Sequence, residues 1–402
     1  MGKRLNKPVR WTTGAFTLLD LYLSEGLSGI IIKEFIFTRK KMSVDFSLYQ
    51  TNEQIIQRAR KNLAQGPWDF LVGGSESETT MRRNRLAFDK IAFRPRVLVD
   101  VSDIDLAVEF MGFQITMPLI LAPVGTLEVF TPEGAVASAR AAEEIGTIQV
   151  VSSVSQPDLE TVSQSTKTTK IYQLYIHGDW QWTKNMIARI KESGYEGICI
   201  TADTASYSRR ERPLISGWRP DSAFDPSQTN WTQRVTWDTV SKIKSESGLP
   251  LLIKGIATRE DAKIALEHGI DVLWISNHGG RQLDHGLGTM DILPEIVEEV
   301  SGRVQIVLDG GVQRGSDVIK AIASGADVVA VGKMQGWGLA AGGTAALVRT
   351  LRIMEEEINV AMSLMGITSF SELSPKNICK AQSVSSPHEM SSWVNKTVDR
   401  IL

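Results

Sequence analysis

From residue 118 onward the chain alternates eight short apolar runs with longer amphipathic stretches, and this alternation leaves few architectures open. The apolar runs are 118–122, 147–151, 171–174, 197–201, 251–253, 271–275, 304–308 and 327–331. Each is too short for a helix and too uniformly apolar for a strand with one wet face, so the pattern fits a parallel sheet buried on both sides. Between them lie helix-like stretches such as 132–145, 182–193, 259–268 and 315–324, and Gly146, Gly194, Gly269 and Gly325 follow four of these. Glycine in that place is a helix stop signal. Eight β-then-α units predict an α/β fold, a TIM (β/α)8 barrel over about 118–350, with closing helices and a polar end from Glu355. Residues 43–117 read as a helical N-terminal cap leading into a short ordered segment. The long gap after the fourth run contains 212–237, rich in Pro, Gly, Ser, Asp and Trp, and reads as a lid insertion.

In such barrels the chemistry gathers at the C-terminal ends of the strands. Read in order, those ends carry Pro123-Val124-Gly125, Ser152-Ser153, Gln173 and Tyr175, Thr201 and Asp203, Lys254, the segment Ser276 to Arg281, Asp309-Gly310-Gly311, and Gly332-Lys333. A purely structural barrel has little reason to bring a Lys, an Asp, a Tyr and a His to one rim. The richest segment is Ser276-Asn277-His278-Gly279-Gly280-Arg281-Gln282-Leu283-Asp284. His278 can take a proton near neutral pH. Arg281 can hold a carboxylate by paired hydrogen bonds. The two glycines let the backbone turn tightly and approach a ligand. These are parts for handling a small carboxylic acid with a proton to remove; the plainer alternative is a polar loop with a satisfied histidine.

The last two loops of such barrels often bind phosphate. Here they are Asp309-Gly310-Gly311-Val312-Gln313-Arg314-Gly315 and Val331-Gly332-Lys333. Their backbone N–H groups, a following helix N-terminus and the charge of Lys333 or Arg314 point to a phosphorylated ligand or cofactor.

Several motifs, taken in order, resemble the FMN-dependent α-hydroxy acid oxidase/dehydrogenase family, which includes glycolate oxidase, lactate oxidase and mandelate dehydrogenase. They are Phe93-Arg94-Pro95-Arg96, Pro132-Glu133-Gly134, Gln173-Leu174-Tyr175, Thr201-Ala202-Asp203-Thr204, Arg209-Arg210-Glu211, Ile253-Lys254-Gly255, Ser276 to Asp284, and Asp309-Gly310-Gly311. The match runs from about Gln54 to the C-terminal region. The resemblance implies FMN as cofactor and oxidation of an L-2-hydroxy acid to the 2-oxo acid. It implies His278 as base, Asp203 as the carboxylate that stabilises its protonated form, and Tyr175 on the substrate hydroxyl. Arg281 and Arg210 would hold the substrate carboxylate. Lys254 would lie near the flavin N1–C2 edge, where negative charge collects on reduction. Ser152, Gln173, Thr201 and Ser276 would bond the ring and ribityl groups, and Pro123, Val124 and Gly125 would pass along the ring edge. Asp309, Gly310, Gly311, Gln313, Gly332 and Lys333 complete the expected cofactor set. Each has a plainer reading: Lys254 and Asp203 as a structural ion pair, Tyr175 as a packing aromatic, Gln173, Thr201 and Ser152 as satisfied rim groups. Reoxidation by O2 or by a quinone or other carrier is open.

Three features depart from the family pattern. Phe70 stands where a Tyr usually donates to the substrate carboxylate, a loss worth about 1.5–3 kcal/mol. Gln313 and Lys333 stand where two Arg usually meet the phosphate, leaving more of that task to backbone N–H groups. The lid stretch is shorter. Two rival functions follow: another FMN barrel such as a reduced-flavin isomerase, or a degenerate flavin-binding protein.

With 44 Lys and Arg against 46 Asp and Glu the net charge is −2, and the body holds no polybasic block, so nucleic acid is not expected as a partner. Cys199 and Cys379 make no disulfide framework, which fits a reducing cytoplasm. Residues 1–41 carry eight Lys/Arg against three acids, and their apolar stretches 16–23 and 27–32 are broken by Asp20, Ser24 and Glu25. A spanning helix or a secretory signal is therefore not expected here. This extension reads as a loose basic arm, a membrane-touching segment (the only route to membrane association), or residues upstream of a start at Met42, the last preferred. Relatives of this kind are commonly homo-oligomers.

Overall fold

The computed structural model describes residues 45–220 and 231–383. The basic extension, the middle of the lid and the polar end lie outside the described residues, and the architecture below is that of the unit Phe46–Leu402.

Eight parallel strands close into a barrel: β1 (Leu119–Leu121), β2 (Gln149–Ser152), β3 (Lys170–Leu174), β4 (Ile198–Thr201), β5 (Leu251–Ile256), β6 (Val272–Ile275), β7 (Gln305–Leu308) and β8 (Val328–Val331). Each falls on one of the eight apolar runs. Neighbours in sequence are neighbours in space, and β8 pairs with β1 through Val329–Leu119 and Val331–Leu121 to complete the ring. The strands read as uniformly apolar because both faces are covered. Ile120, Val150, Ile171, Cys199, Leu252, Trp274, Val307 and Ala330 fill the lumen, while Leu119, Leu121, Val151, Ile200, Ile253 and Leu273 face the outer helices.

A hairpin, Val108–Phe110 with Phe113–Ile115, seals one end. It inserts Phe110 and Ile115 into the lumen cluster, and Met111 N–H donates to Gln305 Oε1 at 2.9 Å, at the start of β7. The open end is therefore the one where the strands finish. The expected helices form over Ala135–Ile145, Trp180–Glu192, Arg259–Glu267 and Gly315–Ala323. Thr258 and Asp179 accept backbone N–H groups at two of their starts. After β8 a helix runs Lys333–Met365, broken at Gly342 and Gly343.

The N-terminal cap is three helices, Asn52–Asn62, Gln65–Val72 and Thr79–Asp89. The tail differs from expectation. Besides its helix it supplies a strand, Ile378–Lys380, that pairs antiparallel with Ile91–Phe93. Of the lid insertion, the described parts are a short helix Glu211–Ser216 and a 3-10 turn Trp231–Arg234.

Candidate active site

A cavity of about 260 Å³ opens at the strand ends, and most of the residues expected there line it. His278 is one. Its Nδ1 lies 2.9 Å from Asp203 Oδ1. An ionised carboxylate can only accept, so Nδ1 carries the hydrogen and Nε2 keeps its lone pair. Burial pushes the His278 pKa down against the opposing charge and hydrogen bond of Asp203. Burial alone would raise Asp203, but the histidine beside it brings its carboxyl below the ordinary range. His278 is thus a neutral base poised beside an anion that favours its protonated form. The acid limb of kcat/KM is expected below the ordinary imidazole value of about 6.5. Asp203→Asn should move that limb to still lower pH while cutting the maximal rate, which a pH profile checks.

Backbone shape makes this pair possible. His278 sits at φ +58, followed by Gly279 at +66 and Gly280 at +75, a left-handed run that few sequences tolerate. A Cβ on Gly280 would lie 2.5 Å from Met81 N, so the loop rests directly on the helix Thr79–Asp89. Asp284 holds the same contact from the far side of the motif. Its carboxylate accepts Thr80 N–H at 2.7 Å, Thr79 N–H at 3.2 Å and Ser77 Oγ at 2.9 Å, at that helix's start. A bulge between Lys254 and Ile256 leaves Gly255 at φ +114, where a Cβ would stand 2.9 Å from Asp203 Cβ. Asp203 has its seat because residue 255 has no side chain.

Lys254 is buried, its Nζ 2.9 Å from Asp309 Oδ2 and 2.7 Å from Ser276 Oγ. Burial works to lower its pKa, but Asp309 and then Asp203 carry it to about 12. The ion-pair partner at the barrel mouth is therefore Asp309, not Asp203. Asp309 also accepts from Ser276 Oγ and Trp274 Nε1, at 2.7 and 3.0 Å. Asp309, expected among the cofactor groups, also lines the cavity.

Arg210 and Arg281 form the cationic wall. Arg281 Nη1 donates to the carbonyls of Phe70 at 2.7 Å and Gly73 at 2.8 Å, and its guanidinium lies over the Phe70 ring at 5.1 Å. Arg210 donates to Ser208 Oγ, Arg281 O and Gln282 Oε1, each at 3.1 Å, over the Tyr207 ring. Neither guanidinium has a carboxylate partner among the described residues. Burial, and then the charge of Arg210, pushes Arg281 below the usual guanidinium range. A buried and a half-buried guanidinium side by side without an anion have the chemistry to hold a carboxylate. Tyr175 lines the same cavity, its hydroxyl raised to about 12 by burial and by Asp203, so it remains a proton donor.

At the other end Gly310, Gly311, Gln313, Gly332 and Lys333 line the cavity, as do Pro123, Val124 and Gly125. Lys333 Nζ reaches Val72 O at 2.9 Å. The sequence reading missed Arg85, which lines this corner from the N-terminal cap. Its Nη1 donates to Gly311 O and pairs with Asp317 Oδ2 at 2.6 Å. Asn84, also missed, exchanges amide hydrogen bonds with Asn277 at 2.9 and 2.7 Å. The one available signal was Asn84-Arg85 on the helix face turned to the barrel.

Ser152, Gln173, Thr201 and Ser276 lie just behind the lining, all buried. Ser152 Oγ donates to Gln173 Oε1 at 2.8 Å, which fixes that amide with Nε2 unpartnered. Thr201 Oγ1 and Gln313 Oε1 are buried without partners too. Buried polar atoms without partners are rare. Strung from the lumen floor to the phosphate loops, these three suit a flat polar ring with a phosphorylated tail. No helix among the described residues is long and apolar enough to cross a membrane.

Residues 59–380 match the family model described as FMN-dependent dehydrogenase, and the chain belongs to that family. It is 37% identical over 344 residues to an L-lactate oxidase of Nostoc sp. strain PCC 7120, covering 79% of this chain and 94% of that protein. It is 34% identical to a glycolate oxidase of Spinacia oleracea, covering 80% and 93%. Among solved structures, mandelate oxidase with (S)-4-hydroxymandelic acid superposes with a TM-score of 0.78 at 32% identity, over 84% of this chain and all of that one. A variant of mandelate oxidase has been solved with an FMN adduct. The family is FMN-dependent, and the chain is an oxidoreductase of the α-hydroxy acid oxidase type.

Proposed function

We propose that the chain oxidises an L-2-hydroxy acid to the 2-oxo acid, with His278 as the base. The observation that carries this is His278 lining one cavity with Arg210 and Arg281, neither of which has a carboxylate partner among the described residues, with Asp203 held on the imidazole Nδ1. Bound FMN supplies a two-electron acceptor. Gln173, Thr201, Ser152, Ser276 and Pro123 to Gly125 would hold its ring, and Gly310, Gly311, Gln313, Gly332 and Lys333 its phosphate. Arg210 and Arg281 hold the substrate carboxylate and so set Cα against the base. Tyr175 donates to the substrate hydroxyl and orients it. His278 takes one proton of the substrate at Nε2 and Asp203 stabilises the imidazolium that results, while the second hydrogen and the electron pair of the Cα–H bond would leave to the two-electron acceptor that bound FMN supplies. Lys254, kept cationic by Asp309, favours the electron-rich form of a bound cofactor. The named relatives are oxidases, and dioxygen is the reoxidant we assign.

Anaerobic addition of an L-2-hydroxy acid should bleach the flavin, and air should restore the colour with release of peroxide. Absence of bleaching across a panel of such acids would remove this reading. A reduced-flavin isomerase has no use for the two-guanidinium wall. Restoring a donor at Phe70 should tighten small acids: Phe70→Tyr is expected to lower the half-saturating glycolate concentration about tenfold, within the range for a hydrogen bond to a charged group. A steady-state titration checks it.

A cytoplasmic location is supported by both cysteines being free, Cys199 inside the lumen and Cys379 at the surface. A homo-oligomer is supported by exposed Val97 and Leu98 beside Val360 and Leu364 on the closing helix. Arg96 N–H ties that segment to Met365 O at 3.0 Å. Sedimentation of the purified protein should give a mass above one chain.

A further inference from the structure

We infer that the acid turned over here carries an aromatic or similarly broad apolar group on Cα, and that Phe70 and Phe130 select it. This rests on the 2-hydroxy acid reading above and narrows it.

The carboxylate end of the substrate is accounted for by Arg210 and Arg281. Beside that clamp the described lining carries two phenyl rings. Phe70 and Phe130 both line it, their rings stacked with centroids 6.4 Å apart and planes 28° apart. Phe70 is not free to swing away. Arg281 lies over its ring at 5.1 Å, and Trp218 meets it edge-on at 5.7 Å. Trp218 is itself seated on the cap helix, where a Cβ on Gly66 would fall 2.4 Å from its ring. The two phenyl rings are thus a braced surface rather than a hinged one.

Val154 completes that side of the lining, against Gly125, where a Cβ would fall 2.7 Å from Val154 Cγ2. The cation that faces Phe70 is Arg281, already committed to the carboxylate, so a second acidic group on the substrate would meet no charge of its own beside the rings. Glycolate has nothing to set against this wall and leaves it wet. An aryl group buries its face on the rings and gains an offset or edge contact as well. Roughly tenfold or more in affinity is the gain such burial allows.

The test uses the holoenzyme under anaerobic conditions, with glycolate, L-lactate, L-2-hydroxyisocaproate, L-mandelate and L-3-phenyllactate as the graded series. Rates of flavin bleaching are read against concentration. The half-saturating concentration should fall at least tenfold from L-lactate to one of the aryl acids. Phe130→Leu should shrink the aryl-to-lactate efficiency ratio at least fivefold, and Phe130→Tyr should leave the ratio nearer to its starting value than Phe130→Leu does. Bleaching by glycolate or lactate at least as efficient as by both aryl acids overturns the inference and leaves the proposed reaction standing. An unchanged ratio in Phe130→Leu overturns the assignment to that ring. Failure of every acid to bleach the flavin overturns both.

Discussion

Replacing His278 by Gln should lower the rate of flavin reduction by a factor of about 10² to 10⁴, the usual worth of a positioned general base. The amide can still donate to Asp203, so the loop and the cofactor groups stay in place, and FMN binding, followed by flavin fluorescence, should be nearly unchanged. Two outcomes separate the roles. Loss of reduction with FMN retained makes the imidazole the proton acceptor. Normal reduction in the variant removes His278 from the chemistry, whatever its bond to Asp203 at 2.9 Å.

The second large effect concerns Arg281. Arg281→Met should reduce kcat/KM about 100-fold, chiefly through KM, because a charge-assisted hydrogen bond to the substrate carboxylate contributes about 1.5–3 kcal/mol. Part of any loss could come from the fold, since the same guanidinium binds the carbonyls of Phe70 and Gly73. Arg281→Lys resolves this. It keeps a cation for those carbonyls but gives up the planar fork. A Lys variant with unaltered melting temperature and KM still raised at least tenfold assigns the fork to the substrate. Recovery of normal KM in that variant would leave Arg281 a structural residue.

The eight strands could be read from sequence because each is covered twice, by lumen and by helix, and so carries no polar interruption. The pairing at the barrel mouth could not. Asp203 ends the strand next to that of Lys254, and proximity in sequence favours them as partners. In a barrel of this kind, side chains of one lumen layer come from alternate strands. Lys254 on β5 therefore reaches across β6 to Asp309 beyond β7, which sequence order does not reveal. Arg85 and Asn84 were missed for a different reason. They sit on an amphipathic helix outside the barrel, and polar residues at helical spacing look like a solvated face until the helix is docked. The strand Ile378–Lys380 is only three residues long and mostly exposed, so it carries almost no pattern. By contrast the motif 276–284 was legible because it sets a base and a guanidinium beside two glycines at a strand end, and the structure places His278, Arg281 and Gln282 on one cavity.

The contact of Gly280 with Met81, closed by Asp284 on Thr79 and Thr80, makes the reactive loop the joint property of two stretches about 200 residues apart. A fragment starting at Pro118 would own all eight staves of the cask and still lack its lid-ring. Grafting the loop onto another barrel would transplant the letters without the surface that shapes them. Changes on the face of helix Thr79–Asp89 that meets this loop will accordingly register in turnover as well as in stability.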